Sequence, residues 1–259
     1  MAGRLRAWYT DQIASNLLVP RKGFFGWLAM KKQGAVSRVL ETNAVKLCRL
    51  KPDHKVLEIG FGSGLGLQTA YNIIKGGKGV VYGVDPSLHM VSSASRRLKK
   101  GVQDKKVFLF HGTAEQIPLN TDSVHRVFHS DCYYFWPLMR PAMREIFRVM
   151  QPGAVMVTVM DFQRLQQFQK AGYLKYARID PVKYMTCLEN YGFSNVRLEY
   201  HKDDRTGQEF QAIYSEVVEK PAHDPSMISD DEDEEMEREV KKLLDEKEDY
   251  RHLTKTRHK

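Results

Sequence analysis

"VLEIGFGSGLGLQT", Val56–Thr69, is an apolar strand-like run that breaks into glycines and continues with helical spacing. Leu67, Ala70, Tyr71 and Ile74 share one helix face, and Gly76-Gly77 stops it. Glycines at such a junction let the chain turn sharply and bring bare main chain against a ligand. The following helix start adds free N–H groups and partial positive charge. The stretch therefore predicts a strand, a ligand-holding loop and a helix.

Working outward, extended and helical patterns alternate. "GVVYGVD" (Gly79–Asp85) is a second strand, and Ser87 can cap a helix burying Met90, Val91, Ala94 and Leu98. "KVFLFHG" (Lys106–Gly112) and "SVHRVFHS" (Ser123–Ser130) are strands three and four. A helix with Met143, Ile146, Phe147 and Met150 inward leads through Pro152-Gly153 into "AVMVTVM" (Ala154–Met160). A helix at Val182–Phe193 then precedes two extended segments, Asn195–Asp203 and Gln208–Val218, joined by the short "DRTG" link. The expected fold is α/β: a doubly wound, mostly parallel seven-stranded sheet, helices on both faces, the last strand antiparallel. The expected division is an N-terminal helical segment at 1–45, a main domain at 46–220 and a tail at 221–259.

Two common uses of a glycine loop fail on spacing. A phosphate loop needs G-x-x-x-x-G-K-[ST], and no Lys-Ser/Thr follows. A dinucleotide fingerprint needs G-x-G-x-x-G, but its third glycine is replaced by Leu65, Leu67 or Thr69 in the three frames.

The run instead reads E-x-G-x-G-x-G from Glu58 through Gly60, Gly62 and Gly64, and this resembles the cofactor loop of class I S-adenosylmethionine-dependent methyltransferases. Three further stretches resemble the family in order: "GVDPS" around Asp85 and Pro86, "GTAEQIPL" (Gly112–Leu119) and "REIFRVMQPG" (Arg144–Gly153). The type 11 subgroup is similar in more detail, through "VLEIGFGSG" and "DCYYFWP" (Asp131–Pro137), and through the spacing of Pro20, Gly23, Gly26, Met30 and Asn43. The resemblance runs from about Asn16 to Met160.

It implies S-adenosyl-L-methionine as cofactor, held by Glu58, Gly60, Phe61, Gly62, Gly64, Asp85, Pro86, Thr113, Ala114, Glu115 and Ser130. Asp85 would accept hydrogen bonds from both ribose hydroxyls, a task for a side chain with two acceptor oxygens. The Ala114 amide would meet the adenine ring. Thr113 stands where the family usually has aspartate, and Asp131 where relatives often carry asparagine. His129, Asp131 and Tyr133 are the candidate catalytic residues, with His129 as a base if the acceptor arrives protonated. For each a structural role stands beside the catalytic one: a packed histidine, a contact to the cofactor's ammonium, an aromatic core. Phe135 and Trp136 read as core packing.

The chain has 259 residues and a net charge of +8. From Pro221 onward 8 basic face 13 acidic residues, leaving 32 basic against 19 acidic before it. A basic body could meet nucleic acid or anionic membrane, or simply be solvated. "GFFGWLAMKK" (Gly23–Lys32) is a candidate substrate lid or membrane contact beside the plain reading of a packed helix. No transmembrane segment is expected. Three scattered cysteines, Cys48, Cys132 and Cys187, fit neither a disulfide framework nor a zinc site and point to a reducing, cytoplasmic setting. No metal is required. Ser229 precedes an acidic run and is a candidate phosphorylation site.

The function expected is methyl transfer to a small-molecule acceptor. Methylation of RNA or protein, and a non-catalytic binding role, are the alternatives. The absence of D/N-P-P-Y after strand four argues against amino-methylation of nucleobases or glutamine. Oligomeric state is open.

Overall fold

A computed structural model describes residues 2–220. The tail at 221–259 and its Ser229 therefore lie outside the described residues.

The glycine-rich stretch forms β1 (Lys55–Ile59), a loop, and α3 (Leu65–Ile74). Buried Leu67, Ala70, Tyr71 and Ile74 form the inward stripe that the periodicity predicts. β2 (Val80–Asp85) and α4 (Leu88–Arg97) follow, and the Ser87 hydroxyl caps α4 by accepting from the Met90 amide. β3 (Val107–His111) and β4 (Val124–Ser130) are next, with the short α5 (Lys99–Gln103) between α4 and β3. Then come α6 (Met139–Val149), β5 (Met150–Met160), α7 (Phe162–Lys170), α8 (Pro181–Asn190), β6 (Ser194–Lys202) and β7 (Glu209–Val217).

The seven strands lie in the order β3-β2-β1-β4-β5-β7-β6. β1 to β5 are parallel neighbours, whereas β7 runs antiparallel to both β5 and β6. The hairpin thus inserts its second strand into the sheet and leaves β6 at the edge. Its turn is tied by Asp203, whose Oδ1 accepts from the amides of Arg205 and Thr206. Gly207 at φ +71° closes the turn in the left-handed region that glycine tolerates.

Two apolar cores cover the sheet's faces. One gathers α6 and α8 residues, including Met143, Ile146, Tyr184 and Leu188; the other gathers α3 and α4 with Leu40, Ala44, Val45 and Cys48. Those last residues belong to the end of α2 (Phe24–Leu47) and its cap, which follow α1 (Ala2–Leu18). The expected boundary at 45/46 falls inside α2, because its second half is part of the core. Asn43 on α2 also donates to Asp203 of the hairpin at 2.7 Å. α2 is kinked at Gly34, where φ is 41° and ψ −127°.

Candidate cofactor and substrate crevice

The chain leaves β1 for β2 on one side and returns through β4 on the other, so β1 and β4 flank the topological switch point. Ligands in open α/β sheets sit at the carboxyl ends of strands at that point. A crevice of about 1080 Å³, its open mouth included, occupies this place. Gly60 and Gly62 form its floor, and both hold positive φ (68° and 50°). A Cβ on Gly60 would come within 3.0 Å of the Cys132 Cβ, while the space beside Gly62 is open.

Asp85, at the end of β2, is nearly buried and locks the loop. One carboxyl oxygen accepts from the Gly62 amide and the other from the Ser87 amide, both at 2.8 Å. Each oxygen keeps a lone pair for a further donor. Burial pushes its pKa up to about 7, against the lowering by the Ser87 and Gly62 amides. Pro86, Gly112, Thr113, Ala114 and Glu115 continue this wall. Burial also raises the Glu115 pKa, with Thr113 as the main opposing hydrogen bond.

The N-terminal segment closes the other side. Leu17 and Leu18 at the end of α1, and Val19 and Pro20 in the connector to α2, line the crevice together with Gln33, Ser37 and Glu41 of α2. The Ser87 hydroxyl donates to the Pro20 carbonyl and fastens the connector to the Asp85 turn. Glu41 accepts from the Gly66 amide at 2.9 Å, and burial raises its pKa to about 7. The sequence did not single out Glu41, because it sits on a helix outside the glycine loop. At the far end Ser130, Asp131, Cys132, Phe135, Trp136 and Pro137 form an aromatic wall. Phe135 and Trp136, expected as core, pack against the core and also line the crevice.

Of the residues expected at the site, Gly60, Gly62, Asp85, Pro86, Thr113, Ala114, Glu115, Ser130 and Asp131 are brought together on its walls. Five are placed elsewhere. Glu58 is fully buried behind the loop, where the amide of Leu67 faces its carboxyl and burial, then Glu41, raise its pKa. Phe61 packs in the core against Gly83. Gly64 caps α3 at φ 80° with Ala94 against it.

His129 has no exposed surface, hydrogen-bonds Thr158 and Tyr184 at 2.8 and 2.9 Å, and is held neutral by burial, its pKa lowered to about 3. Tyr133 is buried with its ring 4.2 Å from that of Tyr184. Neither lines the crevice, where a catalytic role was expected of them. Asp131 does reach it, but its carboxylate is paired with Arg164 of α7, and both side chains are 8% exposed. A carboxylate neutralised in this way is a poor base.

Charge then discriminates among ligands. Glu41, Asp85, Glu115 and Asp131 line the crevice, and among the described residues no Lys, Arg or His does. This is the reverse of the surrounding body, and it opposes phosphate groups while suiting a cationic ligand. Residues 57–158 match the methyltransferase-domain family of type 11. Within that segment the chain carries a domain of the methyltransferase family.

The chain is 29% identical over 136 residues to "Putative methyltransferase YrhH" of Bacillus subtilis strain 168, spanning 52% of this chain and 72% of that protein. It is 27% identical over 128 residues to 24-methylenesterol C-methyltransferase 3 of Arabidopsis thaliana, spanning 49% of this chain and 35% of that enzyme. The chain thus spans about a third of the plant relative it matches. Among solved structures, an S-adenosylmethionine-dependent methyltransferase from Aquifex aeolicus superposes with a TM-score of 0.54 at 20% identity, over 73% of this chain and 96% of that one. At that identity the likeness concerns the fold.

No helix among the described residues is long and apolar enough to cross a membrane.

Proposed function

We propose that this methyltransferase binds S-adenosylmethionine in the acidic crevice and methylates a small, uncharged, largely apolar acceptor. Among the described residues the crevice is lined by no cationic side chain and by the carboxyl groups of Glu41, Asp85 and Glu115 beside the Arg164-paired Asp131; this carries the reading, because the cofactor bears a sulfonium and an ammonium group. When bound, it supplies a methyl group already activated toward displacement, so positioning accounts for much of the rate enhancement.

The chain's own groups divide that work. The main chain at Gly60 and Gly62 admits the amino-acid portion closely, and Asp85 accepts from the ribose hydroxyls with the lone pairs its two amide donors leave free. Thr113, Ala114 and Glu115 border the adenine. The Glu41 carboxyl, when ionised, faces the ammonium group, and a bound cation favours that ionised form. Phe135, Trp136, Leu17 and Leu18 give the acceptor an apolar surface and exclude water. With His129 sequestered and Asp131 paired, no proton transfer is routed through either residue.

The same acidic walls disfavour the backbone of RNA, whatever the charge of the body. The sterol methylation named for the plant relative is in keeping with an apolar acceptor. Incubation with a labelled methyl donor and separated lipid, polar-metabolite and RNA fractions tests the reading. Label in an apolar small molecule is the expected outcome; label confined to RNA or to polar metabolites, or no binding of the cofactor by calorimetry, would overturn it.

A further inference from the structure

Four of the exposed large apolar side chains gather on the N-terminal helices: Leu5 (66% exposed), Trp8 (52%), Phe24 (65%) and Trp27 (55%). The inward faces of these helices are already occupied, α1 burying Ile13 and Leu17, and α2 burying Ala29. The outward apolar residues therefore exceed what packing on the protein requires. The three aromatic ones are also continuous. The Phe25 ring lies 5.3 Å from Trp8 and 5.4 Å from Phe24, and Phe24 lies 6.1 Å from Trp27.

The segment that carries the patch is rich in basic residues. Residues 1–40 contain Arg4, Arg6, Arg21, Lys22, Lys31, Lys32 and Arg38 against a single acid, Asp11. Asp11 is itself bound by Lys175 at 2.7 Å. The Lys31 ammonium stands over the Trp27 ring at 5.0 Å, so aromatic and basic groups form one surface.

We infer that this surface docks on an anionic lipid bilayer, with Leu5, Trp8, Phe24 and Trp27 entering the headgroup–acyl boundary and the arginines and lysines meeting the headgroups. Tryptophan and phenylalanine interleaved with bases are the composition that such interfacial contacts use. A polyanion such as RNA would pair with the bases but leaves the four apolar side chains without a role. An acidic protein would need its own apolar counterpart. Three residues separate Pro20, on the crevice wall, from Phe24 in the patch, so the lipid contact borders the crevice without including its lining.

Sedimentation with vesicles tests the inference on the full chain. Vesicles of mixed phosphatidylserine and phosphatidylcholine are expected to carry the protein down, and phosphatidylcholine alone at least tenfold less. Replacing Trp8, Phe24 and Trp27 together by alanine should cost a further tenfold or more on the mixed vesicles, with circular dichroism and S-adenosylhomocysteine affinity unchanged. Independently of any variant, wild-type tryptophan emission should shift to shorter wavelength on adding mixed vesicles. No sedimentation with phosphatidylserine, no emission shift, or binding as tight after the triple replacement would overturn it. So would RNA binding that is tighter than vesicle binding and lost in the same variant.

Discussion

The carboxylate of Asp131, at the end of β4, is paired with the Arg164 guanidinium from the first turn of α7, and water reaches neither side chain freely. Asp131 takes positive φ (52°), a conformation that aspartate and asparagine tolerate better than most residues. Burial lowers the Arg164 pKa to about 10, which still leaves it charged at neutral pH. Removing one partner from such a pair strands the other charge. Arg164→Leu should therefore cost about 3 kcal/mol of stability in denaturant unfolding. Asp131→Asn combined with Arg164→Leu should recover more than half of that loss. A simple sum of the two single effects would contradict the pairing.

Behind the glycine loop, the Glu58 carboxyl occupies the place where a side chain on Gly66 would begin, its carboxyl carbon 2.8 Å from a Cβ built there. Gly66 is helical, so the constraint is contact and not backbone strain. Gly66→Ala should destabilise the protein by about 2 kcal/mol, in the range for overpacked cores. Adding Glu58→Ala should restore part of it, as read by thermal unfolding of the single and double variants.

That contact shows how far the sequence alone could be read. The strand–glycine–helix stretch, the alternating layers and Asp85 were legible, because period and spacing state them locally. Glu58 carried the right motif position, but its burial depends on Glu41 and Gly66 closing over it. The hairpin's existence was legible from two extended runs and a short link. The insertion of its second strand beside β5 was not, since partner choice between strands leaves little mark on either one. Arg164 lies in "FQRLQQFQK", a short polar helix whose arginine looks solvated until the fold buries it against Asp131. Phe135 and Trp136 were legible as core packing, and only the geometry of the crevice shows that they form its wall as well.

Asp85 should give cofactor binding a pH dependence. Its pKa is raised to about 7, so below that value it is largely protonated, with one acceptor site converted to a donor. Affinity for adenosine, which carries the ribose but no group titrating in this window, should rise as pH goes from 6 to 8. In Asp85→Asn the affinity should be lower and the slope gone. Stability of the free protein should move the opposite way. A carboxyl raised from 3.8 contributes stability that is full below 3.8 and lost as pH rises through about 7. Calorimetric titration and thermal melts across pH 5–8 check both signs.

His129 should act on stability and leave the turnover profile without a histidine limb. Its pKa is lowered to about 3 by burial, so its contribution is present above about 6.5 and fades as pH falls toward 3. The stability gap between wild type and His129→Gln should narrow from pH 7 to pH 4, because the variant has no imidazole to titrate. The pH dependence of kcat should keep its shape in the variant. Loss of a limb near pH 6.5 would instead place the imidazole in the reaction.

Gly26 offers a test of how the N-terminal segment serves the crevice. A Cβ on it would run into the Arg21 carbonyl, with the carbonyl carbon at 2.9 Å and the Asn16 Oδ1 at 3.2 Å. Backbone cannot yield as a flexible side chain can, so Gly26→Ala must displace the connector between α1 and α2. That connector, with the end of α1, presents Leu17 to Pro20 to the crevice and is tied at Pro20 to the turn carrying Asp85. The displacement should be felt at both ends of the cavity: affinity for S-adenosylhomocysteine about tenfold weaker, and turnover at saturating cofactor reduced by a similar factor. A lid acting on the acceptor alone predicts loss of turnover with cofactor affinity intact. Calorimetry and single-turnover labelling on this one variant separate the two, because Gly26 itself touches neither ligand's wall.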